Sequence, residues 1–370
     1  MKANPQIYIL TGEASGDLHA ANLVAAWKQI APQIQFRAWG GDRLKAEGVQ
    51  IDKHIRELSF MGFWEVFKNL WVIRKQFKTI QQQLLAQKPD LLILVDYPGF
   101  NLRIAKWAKD HHIKVLYYIS PTVWAWKQKR VFDIQKYVDQ LYCILPFEPS
   151  FYAKFGLNVA YFGHPLLDEI ERYRSLGTVH PKYEKPVLAL LPGSRKQELQ
   201  RLLPLMLEAS KKFENTHQIV LVCAPHIPLE HYESFGLRPS ITCVQSHTYD
   251  TLSIADMALV TSGTATLETA LFEVPQVVCY RSSAISVWLA RKLVQIKFIS
   301  LVNLILDQKV VTELIQESCT LENMCAELEL VAPNTPGRSA QIEHYQTLKS
   351  QLQLQEAPSS LVAKSMNSFL

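Results

Sequence analysis

Apolar residues fall along this chain in two kinds of run: short, uninterrupted ones, and longer stretches in which apolar positions recur at helical spacing. An uninterrupted apolar run suits a parallel strand covered on both faces. In the first half these runs are Ile7–Leu10, Phe36–Trp39, Leu91–Val95, Val115–Ile119, Leu141–Leu145 and Val159–Phe162. From Asp168 to Pro186 the text turns polar and irregular, which reads as a linker. The alternation then restarts with Val187–Leu191, Ile219–Cys223, Ile241–Val244, Met257–Val260 and Val277–Tyr280. The pattern predicts an α/β chain of two doubly wound, Rossmann-like domains, each turning the carboxyl ends of its strands to a shared cleft. The expected boundaries are 1–167 and 186–338, followed by a last segment, 339–370, with a helix near Ser339–Gln353. The tail beyond Ala357 is expected to fray or to serve an intermolecular contact, and the last segment as a whole to pack on the first domain or be exchanged in a dimer.

One helical stretch, Phe60 to Gln87, carries two apolar stripes. Phe63, Val66, Leu70, Ile73, Phe77, Ile80 and Leu84 form a core face. Phe60, Trp64, Phe67 and Trp71 lie roughly 100° round the helix, by its ~3.6-residue period, with Lys68, Arg74, Lys75 and Lys78 nearby. Aromatics beside cations suit an anionic membrane surface. A stripe covered by another domain or subunit is the equal alternative.

Composition narrows the class. A length of 370 residues favours two domains over one core. The net charge of +5 is too mild to argue for nucleic acid, though it suits an anionic ligand or membrane. Six cysteines stand singly with no CxxC, as reduced thiols of a cytosolic protein would. The first apolar run is too short for a signal peptide, and none approaches the ~18 residues that span a bilayer. A soluble or membrane-peripheral protein is therefore expected.

Candidate chemistry sits where strands end. Leu191-Pro192-Gly193-Ser194-Arg195 follows an expected strand and opens a helical run. Gly193 lets backbone approach a ligand, the helix start offers N–H groups to phosphate with Ser194, and Arg195 adds a bidentate cation. Ser262-Gly263-Thr264-Ala265-Thr266-Leu267-Glu268 repeats that context, and Glu268 suits ribose hydroxyls. An ordinary βα turn and a helix cap are the bland readings of these two loops, but two such loops in one domain favour a nucleotide-sugar site. In the first half, Gly12-Glu13-Ala14-Ser15-Gly16-Asp17 offers small residues and two carboxylates to an acceptor, with plain turn chemistry as its rival. Asp96, at the end of a buried run and before Pro98-Gly99, is placed for a desolvated base or for an Asx-turn. Trp124, Trp126, Lys127 and Arg130 lie in one loop that could stack on a sugar or acyl surface and meet a phosphate. No HExxH, GxxxxGK[ST] or GxSxG occurs, so neither metal nor cofactor is expected.

These residues resemble the lipid-A-disaccharide synthases, glycosyltransferases of the GT-B fold. The matching text is GEASGD (12–17), FMGFWEV (60–66), DYPGFN (96–101), SPTVWAWKQKR (120–130), LPFE (145–148), GHPLLD (163–168), LPGSR (191–195), SGTATLE (262–268) and YR (280–281). Together with Ser300-Leu301-Val302-Asn303-Leu304 they run in family order over most of the chain. Val302 departs from the family's SLPNL, while Asn303 is kept.

The resemblance implies transfer from a UDP-diacylglucosamine donor to an acylated glucosamine phosphate, giving a β-1,6-linked disaccharide phosphate and UDP. It implies an inverting, metal-free reaction at the inner face of the cytoplasmic membrane. It also implies a homodimer that exchanges its C-terminal segment. On that footing Asp96 is the expected base, with Glu13 and Asp17 as alternatives, and Asn303 is expected to line the donor pocket. A UDP-sugar 2-epimerase would need an acidic DSGGxQEE-like text, and the peptidoglycan-pathway transferase a GGxxGxxP loop; neither occurs. A non-catalytic nucleotide-sugar binder would leave Asp96 beside the Trp loop without a purpose.

Overall fold

In the computed structural model, residues 4–58, 70–177, 182–282, 297–352 and 355–370 are described. The chain divides into two compact units, Met1–Glu169 with Gln353–Leu370, and Ile170–Leu352.

The first unit is built on a seven-stranded parallel sheet in the order β3-β2-β1-β4-β5-β6-β7. Its strands are β1 Gln6–Leu10, β2 Gln35–Gly40, β3 Gln50–His54, β4 Leu91–Val95, β5 Val115–Tyr118, β6 Gln140–Cys143 and β7 Ala160–Tyr161. Every residue of β4 is fully buried, as its unbroken LLILV requires. Helices cover both faces, giving two core layers, one around Trp27 and Ile9 and one around Trp39 and Leu94. The second unit holds six parallel strands in the order β10-β9-β8-β11-β12-β13. These are β8 Val187–Leu191, β9 Gln218–Cys223, β10 Ile241–Gln245, β11 Ala255–Thr261, β12 Gln276–Tyr280 and β13 Thr312–Ile315.

Two strands carry no readable apolar run. β3 (QIDKH) and β13 (TELI) are edge strands that keep partly exposed polar residues, so a search for buried runs passes them by. β5 stops one residue early because Ile119 adopts φ 65°.

Three further expectations are adjusted by the structure, and a fourth lies partly beyond the described residues. The polar stretch after Asp168 is not all linker: Leu166–Ser175 is a helix, and the boundary between units falls inside it. Asp168 and Glu169 in its first turn and Arg172 and Arg174 in its last complement the helix dipole. The helix expected at Ser339–Gln353 runs from Pro336 to Leu352. The tail does not fray: Pro358–Asn367 is a helix that returns to the first unit and buries Val362, Ala363 and Met366 in its core. There the Trp27 indole donates to Asn367 Oδ1 at 3.1 Å, and Asp168 Oδ2 accepts the Ser359 N–H at 2.9 Å.

Of the long two-striped stretch, Leu70–Gln87 is a helix with Ile80 and Leu84 buried and Phe77 stacked on Phe100 at 4.2 Å. Trp71 is 79% exposed, and Lys75 and Lys78 are exposed. Phe60, Trp64 and Phe67 lie outside the described residues. Among the described residues no helix is long and apolar enough to cross a membrane.

Candidate active site

In the first sheet, β1 pairs with β2 on one side and β4 on the other. Strand order therefore reverses between β1 and β4, which is where open α/β sheets hold ligands. The loops that leave these two strands are Thr11–Glu13 and Asp96–Tyr97. They pack so closely that a Cβ on Gly12 would stand 2.4 Å from the Tyr97 ring. Only glycine fits there.

Asp96 (φ 46°) and Tyr97 (φ 53°) are successive non-glycine residues in the left-handed region. Such residues cost on the order of 1–3 kcal/mol each unless their surroundings hold them. Here Asn101, fully buried, donates from Nδ2 to Val95 O (3.1 Å) and Asp96 O (2.8 Å), and the Tyr117 hydroxyl donates to Asp96 O at 2.5 Å. The backbone is thus clamped, while the Asp96 carboxyl is largely buried and takes a hydrogen bond from the Tyr97 backbone N–H. Burial, and then the charge of Glu13, push its pKa up to about 6.

The other carboxylate of the opening loop has a different task. Asp17 is buried, and its oxygens accept N–H groups from Gly41 (2.6 Å), Arg43 (3.0 Å) and Leu44 (3.4 Å). It ties the end of β2 to the helix Asp42–Ala46. Of its neighbours, Glu13 is exposed just before the helix Ala14–Ile30, and in that helix's first turn Ser15 is exposed and Gly16 buried against Thr11 and Val95.

The Trp loop follows β5. Trp124 stands edge-on to Phe147 with centroids 5.0 Å apart, half-buried in the loop. Trp126 lies under two cations, with Lys127 Nζ 4.3 Å and the Arg130 guanidinium 5.8 Å from its ring. Burial and the charge of Arg130 lower the Lys127 pKa. Behind the loop is a carboxyl that the LPFE text contains but to which the sequence assigns no role. Glu148 is buried, accepts N–H bonds from Ile144 (3.0 Å) and Leu145 (2.9 Å), and is pushed by burial up to about 7.

The second unit repeats the logic. β8 pairs with β9 and β11, so strand order reverses between β8 and β11. The loops that leave those two strands are the ones holding Gly193-Ser194-Arg195 and Ser262-Gly263. Gly193 has φ 108°, and a Cβ there would meet Glu198 Oε2 at 2.4 Å. Glu198 Oε2 accepts the N–H groups of Ser194 (3.1 Å) and Arg195 (3.2 Å). Glu198 Oε1 lies 3.5 Å from Arg195 Nη1. The groups expected to meet phosphate thus already hold a carboxylate of the same chain.

In the other loop, the Ser262 hydroxyl donates to Ile299 O at 2.9 Å. Thr266 Oγ1 donates to Gly263 O (2.8 Å) and accepts the Leu301 N–H (3.3 Å). Thr264 is exposed and Ala265 half-buried at the start of the helix Thr264–Leu271. Glu268, further along, accepts the Tyr249 hydroxyl at 2.9 Å.

Asn303 does not line a pocket. It is fully buried; its Oδ1 accepts the N–H groups of Val310 (2.8 Å) and Val311 (2.9 Å), and its Nδ2 donates to Val311 O and Glu313 Oε1, both at 2.9 Å. Its amide is spent on holding the entry to β13. Val302 is buried in the first turn of Leu301–Leu306, where an N–H has no intrahelical acceptor, so valine serves where the family pattern has proline. Among the described residues no three His, Cys, Asp or Glu side chains are grouped to hold a metal ion.

The family model described as lipid-A-disaccharide synthetase matches residues 7–366. A lipid-A-disaccharide synthase of Myxococcus xanthus is 40% identical over 344 residues, covering 90% of this chain and 89% of that protein. Among solved structures, a UDP-GlcNAc 2-epimerase from Neisseria meningitidis bound to UDP-GlcNAc superposes with a TM-score of 0.62 at 11% identity, over 99% of this chain and 100% of that one. A calicheamicin glycosyltransferase gives a TM-score of 0.62 at 14% identity, over 100% and 99%. At such identities the solved structures establish a fold, two Rossmann-like domains of GT-B type, and nothing about substrate.

Proposed function

The chain belongs to the lipid-A-disaccharide synthetase family of glycosyltransferases, and from that premise we propose that it joins UDP-2,3-diacylglucosamine to 2,3-diacylglucosamine 1-phosphate. The products are the β-1,6-linked disaccharide 1-phosphate and UDP. The observation that carries the reading is Asp96: a carboxyl on a clamped backbone at the sheet's switch point, with a pKa raised to about 6, suits proton abstraction from an alcohol.

Asp96 takes the proton of the acceptor 6-hydroxyl as that oxygen bonds to the anomeric carbon and the bond to UDP breaks. Attack from the face opposite UDP inverts the centre, through an oxocarbenium-like state. Trp126 with Lys127 and Arg130 receives the sugar and its 1-phosphate. On the donor side, the charge gathering on UDP is met by the N–H groups of Ser194 and Arg195, once Glu198 turns aside, and by the Arg195 guanidinium. Ser262, Gly263, Thr264, Ala265 and Thr266 form the second wall of that site, and Glu268 holds the ribose.

Both substrates carry acyl chains, so the enzyme works on the inner face of the cytoplasmic membrane, with Trp71, Lys75 and Lys78 toward the lipid. A homodimer that exchanges the C-terminal helix would use in trans the contacts this helix makes within its own chain. The decisive experiment supplies purified protein with the two acylated substrates. Stoichiometric UDP and disaccharide phosphate are expected; release of UDP with a free 2-epimerised sugar instead would overturn the reading.

A further inference from the structure

The donor half-site contains a tyrosine that no motif marks. Tyr249 lies in the helix Thr248–Leu252, between β10 and β11, and its hydroxyl donates to Glu268 Oε1 at 2.9 Å. The ring is itself held from two sides. Tyr173 meets it edge-on at 5.4 Å, and Phe272 lies tilted against it at 5.2 Å. The short helix is pinned in turn by Asp250, whose oxygens accept the Tyr173 hydroxyl (2.7 Å) and face His247 Nδ1 (2.6 Å).

A carboxylate on a helix surface samples several rotamers, and each costs alignment with a bound diol. Here one oxygen is fixed by a charge-assisted hydrogen bond from a ring that cannot swing. We propose that Tyr249 is a positioning residue: it sets the Glu268 carboxylate for both ribose hydroxyls of the nucleotide and so governs the choice of ribose over 2′-deoxyribose. The inference rests on the reading of Glu268 as the ribose ligand. A site built to bond a hydroxyl rejects the analogue lacking it, and the rejection is only as sharp as the acceptor is well placed. Tyr249 touches neither the reacting carbon nor the phosphates in this scheme, so its loss acts on donor binding and selectivity rather than on turnover.

The test uses the full-length protein and measures dissociation constants for UDP and 2′-deoxy-UDP, with kcat and donor KM alongside. Tyr249→Phe keeps the ring and its packing and removes only the hydroxyl. It is expected to narrow the preference for UDP by about 5–10-fold and raise donor KM similarly with kcat held, as loss of a hydrogen bond to a charged group would. Glu268→Ala is expected to abolish most of the preference, and Tyr249→Phe added to it to change nothing more. Should Tyr249→Phe keep the wild-type preference while Glu268→Ala loses it, the role given to Tyr249 falls and the ribose site stands. If Glu268→Ala keeps the preference, the ribose reading itself falls and this inference with it. Glu268→Asp, which draws the carboxylate back from Tyr249 without removing charge, supplies a second variant with the same expected narrowing.

Discussion

At the scale of single residues, the site turns on which carboxylates are already engaged. Asp17, in the first turn of the helix Ala14–Ile30, is held by three backbone N–H groups of the segment after β2, whereas the clamp at Asp96 grips its carbonyl and its carboxyl takes the Tyr97 N–H alone from the backbone. Asp96→Asn is therefore expected to cut turnover by ~10²–10⁴-fold with UDP affinity kept, measured by steady-state kinetics and calorimetry. As the proposed base, Asp96 acts when deprotonated. In the free enzyme kcat/KM is expected to fall as pH drops through about 6 and to level off above it, and the Asn variant to lose that limb. Near-normal turnover in Asp96→Asn would move the base to another group.

On the donor side Glu198 is the residue to change. Its carboxylate sits on the Ser194 and Arg195 N–H groups that meet the diphosphate in the proposed reaction, so on that reading it competes with UDP by position and by charge. Glu198→Gln keeps a hydrogen-bond acceptor for the loop and removes the charge. UDP is expected to bind a few-fold tighter, as removal of one well-solvated like charge, worth about 1 kcal/mol at ~4 Å in water, predicts. Unchanged or weaker UDP binding would show Glu198 to be only a helix cap.

At the scale of elements, the helix Leu70–Gln87 shows what periodicity resolves and what it leaves open. Ile80 and Leu84 go inward, as the first stripe requires. Trp71 of the second stripe meets nothing of that kind, at 79% exposure among exposed cations. Trp71→Ser is expected to weaken binding to anionic-lipid vesicles several-fold, since interfacial affinity scales with buried apolar area. Unaltered sedimentation with such vesicles would assign this face to a protein partner. The edge strands β3 and β13 and the helix Leu166–Ser175 mark where pattern reading stops. Edge strands carry polar residues to stay unpaired, and a charged amphipathic helix of low apolar content looks like a linker when its packing partners are unknown.

At the scale of the whole molecule, the order along the chain and the division into units part company. The segment after Leu352 follows the second unit in sequence and belongs to the first in space. Its helix Pro358–Asn367 buries Met366, Val362 and Ala363 against the helix Ala14–Ile30 and closes over Trp27. Deletion of residues 356–370 is expected to lower the unfolding temperature of the first unit by several degrees, because loss of even one such core contact costs about 2–5 kcal/mol. The transition of the second unit should stay in place. Scanning calorimetry separates these outcomes, and a shift in both transitions would show the segment to support the entire chain.

Much of the site was legible in sequence because its loops obey local rules. Leu91–Val95 had to be a buried strand, Gly193 had to free the backbone for a tight turn, and strand ends had to carry the polar residues. Those are properties of a few neighbouring residues, and a linear text contains them. Partners distant in sequence are another matter. Tyr249 for Glu268, three amides around Asp17, the Asn303 amide turned on β13, and the pairing of β1 with β4 and of β8 with β11 each join residues whose approach depends on the finished sheet. Short apolar runs and glycine turns are set by local sterics and burial. Which polar group meets which is set by packing across the fold, so the linear text carried the buried strands, the loops and the family resemblance, while the edge strands β3 and β13 and the engagement of each carboxylate depended on the folded chain.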